Sequence, residues 1–582
     1  MDRGLARNGM HIRSVTFLVL LATTIGACAP AAQPSRPAAS GAPSEPRESG
    51  RTLVAATRVE PGTVASRAIR QTGVALYLSK RLFNAELALL DERGRAHPYL
   101  AEALPQLNTD SWRVFPDGKM ETTWHLKPDL TWHDGTPLSA DDFVFGWRVY
   151  RTPDLGEASL APYHAIEGVT APDARTIVVR WKQPYPDAGV SSGQGREFPP
   201  LPRHILEPAF TQLDLDSFAN HSYWTRDYVG LGPFRMERWE PSSFYEATPF
   251  PGHVLGRAKI PRIKVVFISD ANAALANLLT GDVQLSADTS LRLEQASTLK
   301  REWAPRNAGV ILLHPNQWRS TVFQFRPDVA VPRAILDQRV RKALAHAVEK
   351  EAINETIYQG DGVYSDFMIS PSSEWGPALE PAVVKYPYDL RRGEQLMLEA
   401  GYTRGADGIF SHPSEGRFAA ELKTNAAADN EAEMAIMASG WRQAGFSIQE
   451  AVLPAALAQD GLARSTFPGL FTNNVGVGET TLGSFTSSSL ARQENGWRGS
   501  NRNGWLNPEY DRLAEAFGTT LDRTERAQQV ARMAHLFTDD VGAISLFFRT
   551  QPWAHAAALK GLQVVAPESN MAWNAHQWEW GP

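Results

Sequence analysis

Across 582 residues, 64 acidic side chains oppose 58 basic ones for a formal charge of −6, which excludes the basic footprint of a nucleic-acid binder. A hydrophobic share of 43% and a charged share of 21% are those of an ordinary soluble globular chain, and the length exceeds what one core supports. The single cysteine, Cys28, excludes an internal disulfide and any Cys/His zinc spacing. Aromatic residues are abundant, with 17 Trp, 14 Tyr and 25 Phe; many must be core, and the tryptophan surplus also suits a cleft walled by flat amphipathic rings.

Residues 1–28 read as an export signal. Arg3, Arg7 and Arg13 precede an apolar run, residues 15–22, that is too short to span a membrane as a mature helix. The run closes on Ile25-Gly26-Ala27-Cys28, which resembles a bacterial lipobox, and acylation of Cys28 would supply enough buried methylene for stable anchoring. Residues 29–51 are rich in Pro, Ala, Ser and Gly with almost no large apolar side chain, so they read as a disordered tether.

The folded body is expected from Thr52, with a first strand at residues 52–55 and a helix-then-strand pattern over residues 73–90. Residues 122–150 read as strand, turn, strand (Leu130-Thr131-Trp132), turn and helix. Gly135 supplies positive φ in the second turn, Ser139 and Asp142 form a capping box, and Phe143 and Trp147 share the buried face of the helix. Asp134, Asp141 and Asp142 look like a metal cluster only on paper, since turn and cap duty explains each. Residues 173–182 alternate as a strand, and Gly230-Leu231-Gly232-Pro233-Phe234 turns into another. Residues 263–268 form a near-continuous apolar strand of the kind buried on both sheet faces. Asp270 caps the next helix and Gly281 ends it.

Residues 321–325 are a strand crossing between lobes, and residues 337–358 the longest helical region, with Val340, Ala343, Leu344, Ala347 and Val348 as its apolar stripe. Asp389 starts a helix that ends at Gly401-Tyr402, residues 431–445 form another, and Asn507 caps a third running to Phe517. Residues 522–537 are helical, and residues 543–548 are a buried strand returning to the first lobe.

Several of these segments resemble one family. DGTPLSADD before an aromatic helix, the G-x-G-P-aromatic turn at Gly230, the spaced Tyr388-Asp389 and Ala400-Gly401-Tyr402, and Asn507-Pro508-Glu509-Tyr510-Asp511 occur in the order found in the peptide/nickel class of extracytoplasmic solute-binding proteins, family 5. Arg326 departs from the asparagine common at its position. The resemblance implies an α/β fold, periplasmic-binding-protein-like type II (cluster C): two lobes with an extra domain, mixed sheets flanked by helices, and a ligand cleft between the lobes. Its implied layout is lobe I at residues 52–85, 206–315 and 541–582, the extra domain at 86–205, and lobe II at 316–540.

Peptide-binding members carry a Trp-x-x-Asp pattern whose aspartate holds the peptide ammonium. Here Phe471 stands at the tryptophan and Asn474 at the aspartate. Asparagine cannot neutralise a buried ammonium, so Glu479 is the candidate substitute and Asn473-Asn474 also read as a turn pair. Trp318 and Arg319, placed just before the crossing strand, are candidates for the opposite wall, by stacking and by pairing with a carboxylate. No GxSxG, Walker, GxGxxG, HExxH or CxxC motif occurs, and the 14 histidines are scattered, His412 and His535 reading as surface or satisfied groups.

The resulting expectation is a monomeric, lipid-anchored, extracytoplasmic receptor of an ABC importer with no catalytic residue, cofactor or metal. It captures an oligopeptide-like solute and delivers it to permease and ATPase partners. An oligosaccharide receptor of the same family, an exported hydrolase with dispersed carboxylates and a sensory lipoprotein are the rivals; nickel is disfavoured because no histidine cluster is visible.

Overall fold

Two long antiparallel strands, Gly309–Phe323 and Ala543–Ala556, organise the molecule. The computed structural model describes residues 51–69, 76–155, 157–190 and 196–581, so the signal, Cys28 and the tether through residue 50 lie outside the described residues. The two strands join one mixed eleven-stranded sheet. On one side the order continues through Leu285–Ser286, Leu53–Thr57, Ile263–Phe267, Phe244–Pro249 and Phe234–Glu240. On the other it continues through Leu470–Gly476, Ala419–Asn425 and Ser447–Leu453. The strand pair Ile263–Phe267 and Leu285–Ser286 runs parallel to Leu53–Thr57 on its two sides, joined by the helix Ala271–Thr280. That is the expected crossover unit; Asp270 caps its helix by accepting from the Ala273 N–H, and Gly281 ends it at φ 81°.

The extra domain holds a separate four-stranded antiparallel sheet, ordered Trp112–Val114, Met120–His125, Thr176–Trp181 and Ile166–Asp173. The helix Ala140–Tyr150 starts with the expected capping box, the Asp142 carboxylate accepting from the Ser139 N–H at 2.9 Å. Phe143 is fully buried, while Trp147 is half-buried under the Arg151 guanidinium. Asp134 accepts from the Thr136 N–H at 2.9 Å and contacts His204 at 2.7 Å, and Asp141 pairs with Arg203.

Four local expectations need correction. Leu130-Thr131-Trp132 is not a strand: it folds back on Thr136 and Leu138 through one bridge, Thr131 to Pro137, inside the turn that Gly135 makes at φ 87°. The helical region after Asp337 is broken. Its first helix, Gln338–His346, stops because the Trp441 indole donates to the Leu344 carbonyl at 2.8 Å and the Asp389 N–H donates to His346, taking carbonyls a further turn would use. The crossing strand begins at Gly309 rather than near Thr321, because Pro315 and Asn316 are absorbed in a bulge instead of ending it. The apolar strand Ile263–Phe267 buries Ile263 and Val265 fully and its other face only in part.

On the side of the crossing strands that pairs with Leu470–Gly476, the sheet packs a hydrophobic core on each face. One gathers Val340, Leu344, Trp441 and Phe547; the other gathers Trp318, Phe471, Trp505 and Phe537. Much of the tryptophan surplus is thus core. Gly232 shows why its motif needs glycine: a Cβ there would lie 2.4 Å from the Leu82 carbonyl oxygen, and its N–H donates to the Phe83 carbonyl at 2.9 Å, closing the helix Tyr77–Phe83. Gly232→Ala should cost about 1–3 kcal/mol of stability by overpacking, measurable by urea unfolding.

Candidate ligand cleft at the waist

The crossing strands carry the site because both faces change hands there. Between Pro315 and Gln317 the register against Ala543–Ala556 slips by one, leaving Asn316 as the extra residue of a bulge. Asn316 and Gln317 are exposed, although the strand is largely buried on either side of them. This is the waist, and Asn316 lines two cavities there. The smaller, about 160 Å³, lies among Tyr77, Leu90, Arg196, His314, Gly478 and Glu568. The larger, about 720 Å³, lies among Arg58, Arg292, Tyr358, Asp429, Arg549 and Gln551.

Strand periodicity divides the sequence candidates. Arg319 pairs with Asn474, Trp318 with Val475, Ser320 with Asn473 and Val322 with Phe471. Because side chains alternate, Trp318, Asn473 and Phe471 share one face, and Arg319 and Asn474 share the other. Asn473-Asn474 is therefore strand rather than turn, and Trp318 and Arg319 lie within the crossing strand rather than in a loop before it. Trp318 is fully buried, edge-on to Phe485 and Phe537, and Phe471 is fully buried against Phe467. Arg319 is wholly buried and donates to the Glu433 carboxylate at 2.7 Å and to Thr424 at 3.2 Å. Among the described residues, the side-chain oxygens of Asn473 and Asn474 have no hydrogen-bond partner.

Glu479 sits at the rim of the smaller cavity, in the turn after Gly478, which takes φ 97°. Its buried carboxylate accepts from Arg196, from the Trp375 indole at 3.0 Å and from Arg526 at 3.4 Å. Its two oxygens are thus engaged by groups from three separate segments. Burial works against the Arg196 charge, but Asp187 at 3.4 Å and Glu479 outweigh it and hold its pKa above the ordinary value. Across the cavity, burial first, and then the Glu479 charge, pushes the Glu568 carboxyl up from its usual range. Burial holds His314 down to about 4, against a smaller opposing effect of the Val565 backbone, so its ring is neutral at ordinary pH.

Arg196, His314, Asn316 and Glu568 escaped the sequence reading. Proline followed by asparagine inside an apolar strand is a recognisable bulge signal, and Asn316 could have been found by it. The others come from distant stretches with no local motif, and only the fold brings them together.

A continuous sheet with a bulged waist and two cavities bordering it is consistent with a two-lobed solute-binding fold. The family described as bacterial extracellular solute-binding proteins, family 5 Middle, matches residues 102–493, and this chain belongs to it. AppA of Bacillus subtilis, an oligopeptide-binding protein, is 24% identical over 421 residues, 72% of each chain. Its structure with a nonapeptide superposes with a TM-score of 0.60 at 20% identity, covering 92% of this chain and 99% of that one. HbpA2 from Haemophilus parasuis reaches 0.71 at 17% identity, covering 91% and 100%; these structural likenesses establish the type II periplasmic-binding-protein-like fold. A Brucella ovis relative is 25% identical over 299 residues, 50% of this chain and 51% of its own, so the chain spans about half the length of the first curated relatives it matches. No helix among the described residues is long and apolar enough to cross a membrane.

Proposed function

We propose that this chain is the solute-capturing receptor of an ABC importer. It holds an oligopeptide-like solute at the waist and passes it unchanged to a membrane permease served by an ATPase. The observation that carries this reading is the pair of cavities meeting at Asn316, each bounded by residues of both lobes. Such a site takes a small solute by hinge closure. The family and the oligopeptide-binding AppA favour peptides. The tryptophan surplus that would suit a ring-walled cleft is spent largely on the cores.

In this reading Asn473 and Asn474 offer polar contacts from opposite sheet faces. Phe471, Trp318 and Arg319 shape the wall from inside lobe II. Glu479 holds the rim through Arg196 and Arg526. The protein is a monomer outside the cytoplasm, tethered through lipid on Cys28; Cys28→Ser should release it from membranes into the soluble extract, and membrane retention of that variant would remove the anchor. Small-angle scattering tests capture itself. Adding a mixed tripeptide-to-pentapeptide pool should reduce the radius of gyration as the lobes close, and an unchanged profile with no uptake would contradict it.

A further inference from the structure

The smaller cavity contains two acceptors that the protein does not use. Glu568 lines it, and among the described residues its Oε1 is buried without a hydrogen-bond partner. It faces a position kept open by glycine: a Cβ on Gly478 would lie 2.9 Å from that oxygen. His314 lines the same cavity. Its ring is neutral at ordinary pH and its Nδ1 too lacks a partner among the described residues; in the tautomer protonated on Nε2 that nitrogen keeps a lone pair.

Of the neighbouring charges, Glu479 opposes the Glu568 carboxylate and Arg196 relieves it only in part, after burial. Arg196 is committed to Glu479 and Asp187, and Glu479 to Arg196, Arg526 and Trp375. A buried carboxylate oxygen and a buried imidazole nitrogen without partners are costly when the cavity holds no donor. A group with several N–H donors and a positive charge removes that cost, whereas a neutral hydroxyl offers one donor and no charge. Leu90 and Pro567, also in the lining, suit the alkyl carbon that bears such a group.

We infer that the Glu568 side of the cavity is a receptor for a primary ammonium group of the solute, with Glu568 as counter-ion and His314 Nδ1 as a second acceptor. This rests on the receptor reading above and gives it a polarity: the charged amine of the peptide enters the small cavity, and the rest of the chain extends past Asn316 toward the larger one. The ammonium is held from lobe I, by a segment close to the carboxyl end of the chain, instead of by the lobe II strand that carries Asn474.

The test compares trialanine with N-acetyl-trialanine on the full chain by isothermal titration. Wild type should bind the free amine at least about tenfold tighter, the range of a hydrogen-bonded charged group. Glu568→Gln should bring the two affinities together by weakening the free peptide alone, and Glu568→Asp should retain part of the preference. Equal binding of the two peptides by wild type overturns the assignment whatever the variants do. A Glu568→Gln protein that keeps the full preference, or loses both peptides equally, also overturns it. If wild type binds neither peptide, the receptor reading for peptides falls with it, an outcome distinct from binding both equally.

Discussion

Glu433→Ala is expected to lower the unfolding free energy by about 3–5 kcal/mol, the usual result of stranding one member of a buried ion pair. The side chains of Arg319 and Glu433 are 0% and 2% exposed, and both Nε and Nη2 of Arg319 reach the same Glu433 oxygen, at 2.7 and 2.5 Å. The pair fastens the crossing strand to the helix Ala428–Gln443, so its loss leaves a guanidinium in the lobe II interior with only Thr424 for a partner. Replacing both members, Arg319→Met with Glu433→Leu, should recover most of the loss, because an apolar pair of similar volume carries no desolvation cost. Guanidinium unfolding of the three proteins decides it. A single variant within about 1 kcal/mol of wild type would show the pair to be solvated in solution.

Acidification is expected to unfold the lobe I side of the molecule steeply between about pH 6.5 and pH 4. His253, His314 and His576 are buried there and His133 lies beside them against Gly230 and Gly232, all 8% exposed or less. Burial is the first cause of depression in each, taking His133, His314 and His576 to about 4 and His253 to about 3. Arg81 adds to the effect on His253 and His576, whose rings lie 5.5 Å apart. A folded pKa below the unfolded one means that the unfolded chain takes up protons the folded chain refuses. Stability is therefore fully present above about pH 6.5 and is lost as the pH falls through the folded values. Each such group contributes about 1.4 kcal/mol per pH unit inside that window. His576→Leu should make the slope of unfolding free energy against pH shallower by about that amount, and an unchanged slope would remove His576 from the account.

What was legible in the sequence followed the range of the forces involved. Helix starts at Asp270, Asp389, Asn507 and Asp522 were readable because a cap is settled within three residues, and each of these side chains accepts from the backbone N–H two or three positions on. The apolar stripe from Val340 to Val348 was readable and is buried. Its break at Ala347 was not, because Trp441 and Asp389, 97 and 43 residues further along the chain than the carbonyls they bind, act on it through space. The waist lay between these cases. Its strand was visible, but its length and the faces of its residues depend on pairing with Leu470–Gly476 and Ala543–Ala556. Glu568, in a loop after Pro567, carries no local signal, and its meaning comes only from Gly478 and His314 opposite.

The central claim is capture without chemistry at the waist, and native mass spectrometry of the full chain against a defined peptide pool tests it most directly. The account predicts one peptide bound per chain, released on denaturation with its mass unchanged. A chain that stays bare across the whole pool, or one that returns shortened peptides, would contradict it.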